Sequence, residues 1–180
     1  MAANVLSTNI AFWHAPAVFI KGLTPDQLHW QPENHDTSIM FALWHAYRSS
    51  DDLVHGLLLR RPTVFASQGW ASRLPVAETG RSSFGNGMTR DQIGSLRLDL
   101  PELCTYASAV GASINAGLDA LSPEDAAAEI ALPFFTDVYP GYDRMSRLEA
   151  VAFFGIGHVA EHLGEAQLVK GLMGLQGALL

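Results

Sequence analysis

Two histidines near the end of the chain have the spacing of a metal-binding pair. Three residues separate His158 from His162, so an α-helix places both imidazoles on one face. Such a pair can hold one divalent ion, and a third protein ligand would still leave a position open for water or substrate. The chain has seven histidines, so this spacing can also arise by chance. A ligand from another helix is therefore needed to define a site.

The residues around this pair extend the polar patch. Glu161 and Glu165 fall within the same helical arc as the two histidines, which is about 100° wide. One or two turns away, the arc holds Val151, Phe154, Val169 and Leu172. The pattern predicts that a polar quartet interrupts a core-facing stripe. Buried polar groups need partners, which here would be one another, water or a metal.

His45 is the best candidate for the third ligand. It lies near the middle of a predicted helix, and Arg48, Ser49 and Asp52 follow at i+3, i+4 and i+7 on the same face. Asp52 and Arg48 can form an ion pair there, so a polar patch again interrupts an apolar face. The alternative is that all these histidines are core residues whose hydrogen bonds are satisfied by the nearby carboxylates.

The remaining histidines are expected at the surface or in loops. These are His14, His29, His35 and His55. His29 and His35 precede the second long helix, so either could lie near the mouth of a site. The single cysteine, Cys104, lies in an apolar helix and is expected to be inert.

An open three-histidine site supports two kinds of chemistry. Three neutral imidazoles leave the ion its full positive charge, so a bound thiol is held as a thiolate and a bound water becomes more acidic. The first outcome leads to thiol transfer and the second to hydrolysis. Glu165 is the best candidate to orient a ligand histidine or to shuttle a proton, and Asp52 is the second candidate.

Four long helices must position these residues. Apolar periodicity predicts helices over about 1–20, with a bend near Pro16, and over about 38–60, 99–121 and 143–173. Capping patterns predict short helices that begin after Thr24, Thr89 and Ser122. No convincing run of alternating strands is present. We therefore predict an all-α four-helix bundle that spans residues 1–180 as a single domain.

Two long connections join these helices. Residues 67–87 are rich in glycine and serine and predict a surface excursion, and residues 132–142 predict a loop or an irregular extended piece. Either connection could cover one end of the bundle, because long loops in compact domains are often binding loops. The fold is thus expected to carry short extra helices within long connecting loops.

Composition excludes several classes of protein. Hydrophobic residues make up 48% of the chain, and its net charge of −7 argues against a nucleic-acid binder. A single cysteine excludes a disulfide framework and a cysteine-rich zinc module. The uncharged first twenty residues lack a basic start and contain several polar residues, so they predict neither a signal peptide nor a membrane span. We expect a soluble cytoplasmic protein.

Several motifs occur together along the chain. The site motifs are Leu43-Trp44-His45-Ala46 with Asp51-Asp52, and the segment from His158 through Gly164-Glu165 to Gly171 and Gly174. Further motifs are Gly22 to Pro32, Gly69-Trp70, Met88-Thr89 and Asp99 to Leu103. With these motifs the sequence resembles the DinB-like superfamily over nearly its whole length.

The resemblance implies a fold, a ligand set and a range of activities. The family has an up-down-down-up four-helix bundle, which is commonly dimeric. Three histidines bind a divalent metal, usually zinc or nickel, and here they would be His45, His158 and His162. Some relatives are transferases that use bacillithiol or mycothiol, one is a mycothiol-dependent maleylpyruvate isomerase, and many have no known reaction.

The residues and the resemblance together favour a metal-dependent transferase that uses a low-molecular-weight thiol and a small-molecule substrate. The chain offers only Cys104, so the reacting thiol would have to come from a small molecule. The sequence contains no motif for binding such a cofactor, and the residues that would hold it are not identified. Two alternatives stay open: a metal-dependent hydrolase without a thiol, and a non-catalytic metal-binding or stress-related dimer.

The last helix also predicts assembly. Opposite its histidine face it carries Ala160, Gly164 and Gly171, and such small residues let another helix approach closely. We predict a homodimer, because closed two-fold dimers are the commonest soluble oligomers. The alternative is a close contact with a helix of the same chain.

Overall fold

Helices account for most of the backbone, as the periodicity and capping patterns predict. The computed structural model describes residues 2–76, 82–136 and 139–177. Its α-helices are α1 (Ala2–Trp13), α2 (Pro25–His29), α3 (Ile39–Ser50), α4 (Val64–Ser67), α5 (Arg90–Ser95), α6 (Leu100–Asp119), α7 (Pro123–Ala127), α8 (Arg147–Ala152) and α9 (His158–Leu172). Short 3₁₀ turns lie at Pro16–Val18, Trp70–Ser72 and Pro133–Phe135.

Two of the long helices contain π-helical segments. α3 continues directly into a π-helix over Asp51–Leu59, and α8 continues through a π-helix over Phe153–Gly157 into α9. Residues 39–59 and 147–172 are therefore two continuous helices, which complete a four-helix bundle with α1 and α6. A π turn holds an extra residue, so it rotates the face that the following residues present.

The core lies where these four helices meet. α3 packs along α9, and α1 packs along α6. The largest fully buried side chains are Trp44, Trp70, Tyr47, Tyr106 and Phe154. Burying each of them stabilises the fold by roughly 1.5–3 kcal/mol. Within the described ranges, no helix is both long enough and apolar enough to cross a bilayer.

The first helix ends where a bend was predicted. α1 stops at Trp13, and a separate 3₁₀ turn begins at Pro16. Ala15 has φ −116° and ψ 67°, because the ring of the following proline disfavours the α conformation of the preceding residue. Among the apolar residues of the predicted helix, Ile10 and Ile20 are buried, whereas Ala17 is exposed.

The last helix begins four residues later than predicted. Ser146 caps α8, and its hydroxyl and the Glu149 carboxylate form a reciprocal capping box. The residues just before it form β2 (Arg144–Ser146), which pairs antiparallel with β1 (Glu129–Ala131). This small sheet was not predicted, because three-residue strands carry too little alternation to be recognised.

The predicted surface excursion lies partly in the core. Trp70 and Leu74 are buried, although both fall in the segment 67–87. Residues 77–81, in the middle of this segment, lie outside the described residues. The segment comes back to the bundle at Phe84, whose backbone carbonyl contacts His45.

Candidate metal centre

Three histidines meet where α3 packs along α9. His45 comes from α3, and His158 and His162 come from successive turns of α9. One ring nitrogen of each lies within 4.8 Å of the other two. The ring of His162 is centred 4.5 Å from each of the other two rings. The ligand predicted from the second long helix thus meets the predicted pair.

The outward-facing nitrogens of two of these rings are held by hydrogen bonds. The Nδ1–H of His45 donates to the carbonyl oxygen of Phe84 at 2.8 Å. The Nδ1–H of His162 donates to the carboxylate of Glu165 at 2.9 Å. A proton on Nδ1 leaves a lone pair on Nε2, which is the form that binds a metal. Glu165 therefore holds the ring of His162 from the side opposite its Nε2.

Ser49 holds the third ring. Its hydroxyl donates to the carbonyl oxygen of His45 at 2.6 Å, so its lone pair is free to accept the Nδ1–H of His158 at 3.3 Å. The Nε2 atoms of His158 and His162 lie 3.3 Å apart. All three imidazoles thus direct Nε2 toward one another. The sequence placed Ser49 on this face, four residues after His45, but its contact with His158 depends on the packing of two distant helices.

Burial and a hydrogen bond set the protonation states of His45, His158 and Glu165. Burial, followed by the neighbouring His162, lowers the pKa of His45 to about 4 and that of His158 to about 3. Both rings are therefore neutral at pH 7. The hydrogen bond from His162 lowers the pKa of Glu165, so this carboxylate is ionised. Two neutral imidazoles and a third that is backed by an ionised carboxylate fit a divalent ion such as zinc.

Aromatic side chains surround the histidines. The rings of Phe41 and Phe84 are centred 5.8 and 5.7 Å from that of His45. Gly85 has φ +93°, and a Cβ atom there would stand 3.0 Å from the Phe41 ring. Only glycine therefore fits the turn that brings the Phe84 carbonyl against His45.

Two predicted members of the polar patch lie elsewhere. Asp52 pairs with Arg48, as predicted, and also accepts a hydrogen bond from Ser83, so its carboxylate is engaged away from the histidines. Glu161 is exposed on the surface of α9. The predicted quartet on this helix is therefore a trio of His158, His162 and Glu165.

Two histidines expected at the surface are in fact buried. His14 is 1% exposed and His55 is 0% exposed. His55 lies between Asp51 and Ser113, and its ring nitrogens are within hydrogen-bonding distance of both side chains. Hydrogen-bond partners on other helices allow these imidazoles to be buried, and a single helical pattern does not reveal such partners. His35, by contrast, is exposed as expected.

We expect replacement of Ser49 by alanine to weaken zinc binding about 10- to 100-fold, the usual effect of losing a partner of a ligand histidine. Competition with a chromophoric chelator measures the affinity. Ser50→Ala is the matched control, because Ser50 is buried on the same helix but lies near His14 rather than near the three histidines. Equal affinities for the two variants would contradict the role of Ser49.

Comparison with known proteins agrees with this architecture. The sequence model of the DinB superfamily matches residues 11–166, a range that contains all three histidines and Glu165. Among solved structures, a conserved protein from Enterococcus faecalis aligns with a TM-score of 0.76 and 16% identity, over 95% of this chain and 96% of that chain. At this identity the likeness shows the fold alone. No curated protein matches the chain significantly.

Proposed function

Because this chain belongs to the DinB superfamily, we propose that it is a divalent-metal-dependent transferase that joins a low-molecular-weight thiol to a small electrophile. The supporting observation is the cluster of three histidines in which every Nδ1 has an outer partner and every Nε2 faces inward. His45, His158 and His162 would hold the ion, which we expect to be zinc or nickel.

Different residues of the chain have different roles at this site. A divalent ion bound to three neutral imidazoles supplies positive charge that favours the thiolate form of a thiol. Glu165 and the Phe84 carbonyl hold two of the rings in the correct tautomer. The ring of Phe84 shields the imidazole of His45 from water.

The reacting thiol would have to come from a small molecule. Cys104 is the single cysteine of the chain, and burial raises the pKa of its thiol. It therefore stays protonated at neutral pH and is a poor nucleophile. Bacillithiol and mycothiol are the thiols that the family resemblance suggests.

The metal-loaded protein should accelerate reaction of one thiol with a chlorinated aromatic electrophile. Bacillithiol, mycothiol, glutathione and coenzyme A would each be tested by following loss of thiol and formation of the thioether. We expect a rate above that of the metal-free protein with at least one thiol, and no such increase in the His158→Ala variant.

Other outcomes would point to the alternative functions. Turnover of esters or amides without any thiol would favour a metal-dependent hydrolase. Tight metal binding without turnover of either substrate class would favour a non-catalytic metal-binding protein. Either result would overturn the transferase proposal.

We also propose that the protein is a homodimer whose interface includes the exposed groove between α1 and α9. This groove has a volume of about 710 Å³ and is mostly apolar. Its lining includes Phe12, Phe19, Gly164, Leu168 and Leu172. Phe12, Leu168 and Leu172 are each at least half exposed, and a second copy of the chain would cover them.

Light scattering at micromolar concentration should give the mass of a dimer, and Leu168→Glu should shift it toward the monomer. Leu57→Glu is the matched control, because Leu57 is 43% exposed but does not line the groove. A monomeric wild-type protein would contradict the proposal.

A further inference from the structure

A second group of polar side chains lies in the bundle, apart from the three histidines. Nδ1 of His55 lies 2.8 Å from Oδ1 of Asp51, and Nε2 of His55 lies 2.8 Å from the hydroxyl oxygen of Ser113 on α6. His55 follows His45 by ten residues, which is about 15 Å along a helix axis. The metal centre uses none of these three side chains.

The positions of the protons in this chain follow from its hydrogen bonds. The Asp51 carboxylate also accepts bonds of 2.8 Å from the backbone N–H groups of Val64 and Phe65 and from the hydroxyl of Tyr106. Burial opposes ionisation of Asp51, but the bonds from His55 and these other donors keep its pKa below the usual value. Nδ1 of His55 therefore carries a proton that it donates to Asp51. In a neutral imidazole with this tautomer, the lone pair on Nε2 accepts the hydroxyl proton of Ser113.

The carboxylate and the imidazole are more deeply buried than the hydroxyl, as is expected for an activated serine. Asp51 and His55 are 0% exposed, whereas Ser113 is only partly buried. A hydroxyl that donates to a histidine, which in turn is oriented by a buried carboxylate, is the arrangement that activates serine nucleophiles.

A cation lies against the same face of α6, near Gly117. Gly117 follows Ser113 by one helical turn, and a Cβ atom on Gly117 would stand 3.1 Å from a guanidinium nitrogen of Arg61. Residues four apart lie on one face of a helix, so this guanidinium lies against the face of α6 that carries Ser113, one turn further along the helix. Its charge can stabilise an anion that forms there.

We propose that Ser113 is a nucleophile toward small activated esters, with His55 as its base and Arg61 as its cation. The Oγ atom forms a bond to the acyl carbon, the hydroxyl proton passes to Nε2 of His55, and the bond from carbon to the leaving oxygen breaks. The leaving oxygen takes that proton from His55. The backbone N–H of Ser113 is used within α6 and cannot stabilise the oxyanion, so we expect an acyl-serine that hydrolyses slowly.

Labelling with diisopropyl fluorophosphate tests this proposal. In this reaction the bond from Oγ to phosphorus forms, the phosphorus–fluorine bond breaks, fluoride leaves and the hydroxyl proton passes to His55. Peptide mass spectrometry should find Ser113 labelled on the order of 100-fold faster than Ser108, since a positioned base contributes about that factor or more. Ser108 is the internal control, because it is exposed on the same helix and its hydroxyl donates to the Cys104 carbonyl.

Two variants and one treatment complete the experiment. His55→Gln should slow labelling of Ser113 to the rate of Ser108, and Arg61→Gln, at an exposed site, should slow it several-fold. Labelling with and without a chelator should be equal, which separates this site from the proposed metal centre. Equal rates at Ser113 and Ser108 in the wild-type protein would overturn the proposal whether or not the His55 variant folds.

Discussion

Replacing His158 with alanine is expected to lower the affinity for zinc by well over 100-fold, which is more than the loss of an outer partner such as Ser49 would cost. Two of the three imidazoles then remain, and two ligands do not form a stable zinc site. The same loss is expected for His45→Ala, although His45 is more than 100 residues away in sequence. Metal analysis of the purified proteins and titration with zinc would measure both effects.

The matched control for this prediction is His29→Ala. The Nδ1–H of His29 donates to the Pro25 carbonyl oxygen within α2, and His29 does not belong to the three-histidine cluster. This variant should keep the wild-type affinity. Equally tight binding by the wild type, His45→Ala and His158→Ala would rule out the proposed centre.

The helices were predictable from sequence wherever the signal was local. The capping boxes at Thr24 and Thr89 each form within four consecutive residues, so the residues that interact are close together in the sequence. The spacing of His158 and His162 is local in the same sense. These features do not depend on how the helices pack.

The orientation of the last helix was not predictable from regular periodicity. Val151 faces the core just before the π-helical segment and Phe154 faces it at the start of that segment, whereas Val159, Leu163 and Ala166 face it afterwards. The extra residue of a π turn rotates the buried face by about 100°. If the buried face is extended from Val151 with the regular period of an α-helix, Glu161 and Leu172 are predicted to lie in the core. Both residues are in fact exposed.

The outer partners of the histidines depend on tertiary contacts. The Phe84 carbonyl lies 39 residues after His45, and Ser49 lies 109 residues before His158. No repeating pattern in the sequence relates residues that are so far apart. His55 illustrates the same limit, because its partner Ser113 is 58 residues away. Local composition suggested an exposed histidine there, and packing between α6 and the π-helical end of α3 buries it.

Replacing Asp51 with alanine is expected to destabilise the fold by about 3–5 kcal/mol, a range typical of breaking a buried charged network. The change leaves His55 and the backbone N–H groups of Val64 and Phe65 without their acceptor, and each unsatisfied buried donor costs about 1–3 kcal/mol. Domains of this kind are stable by about 5–15 kcal/mol, so the loss is a large share of the total. Denaturant unfolding followed by tryptophan fluorescence would measure it.

Asp119→Ala serves as the control for this prediction, because Asp119 is an exposed carboxylate at the end of α6. Its effect on the free energy of unfolding should stay within about 0.5 kcal/mol, as for most surface substitutions. The contrast tests whether Asp51 holds the start of α4 against the bundle through the first N–H groups of that helix. If Asp51→Ala unfolds within about 1 kcal/mol of the wild type, the buried carboxylate is not a structural anchor, because its donors must then find other acceptors at little cost.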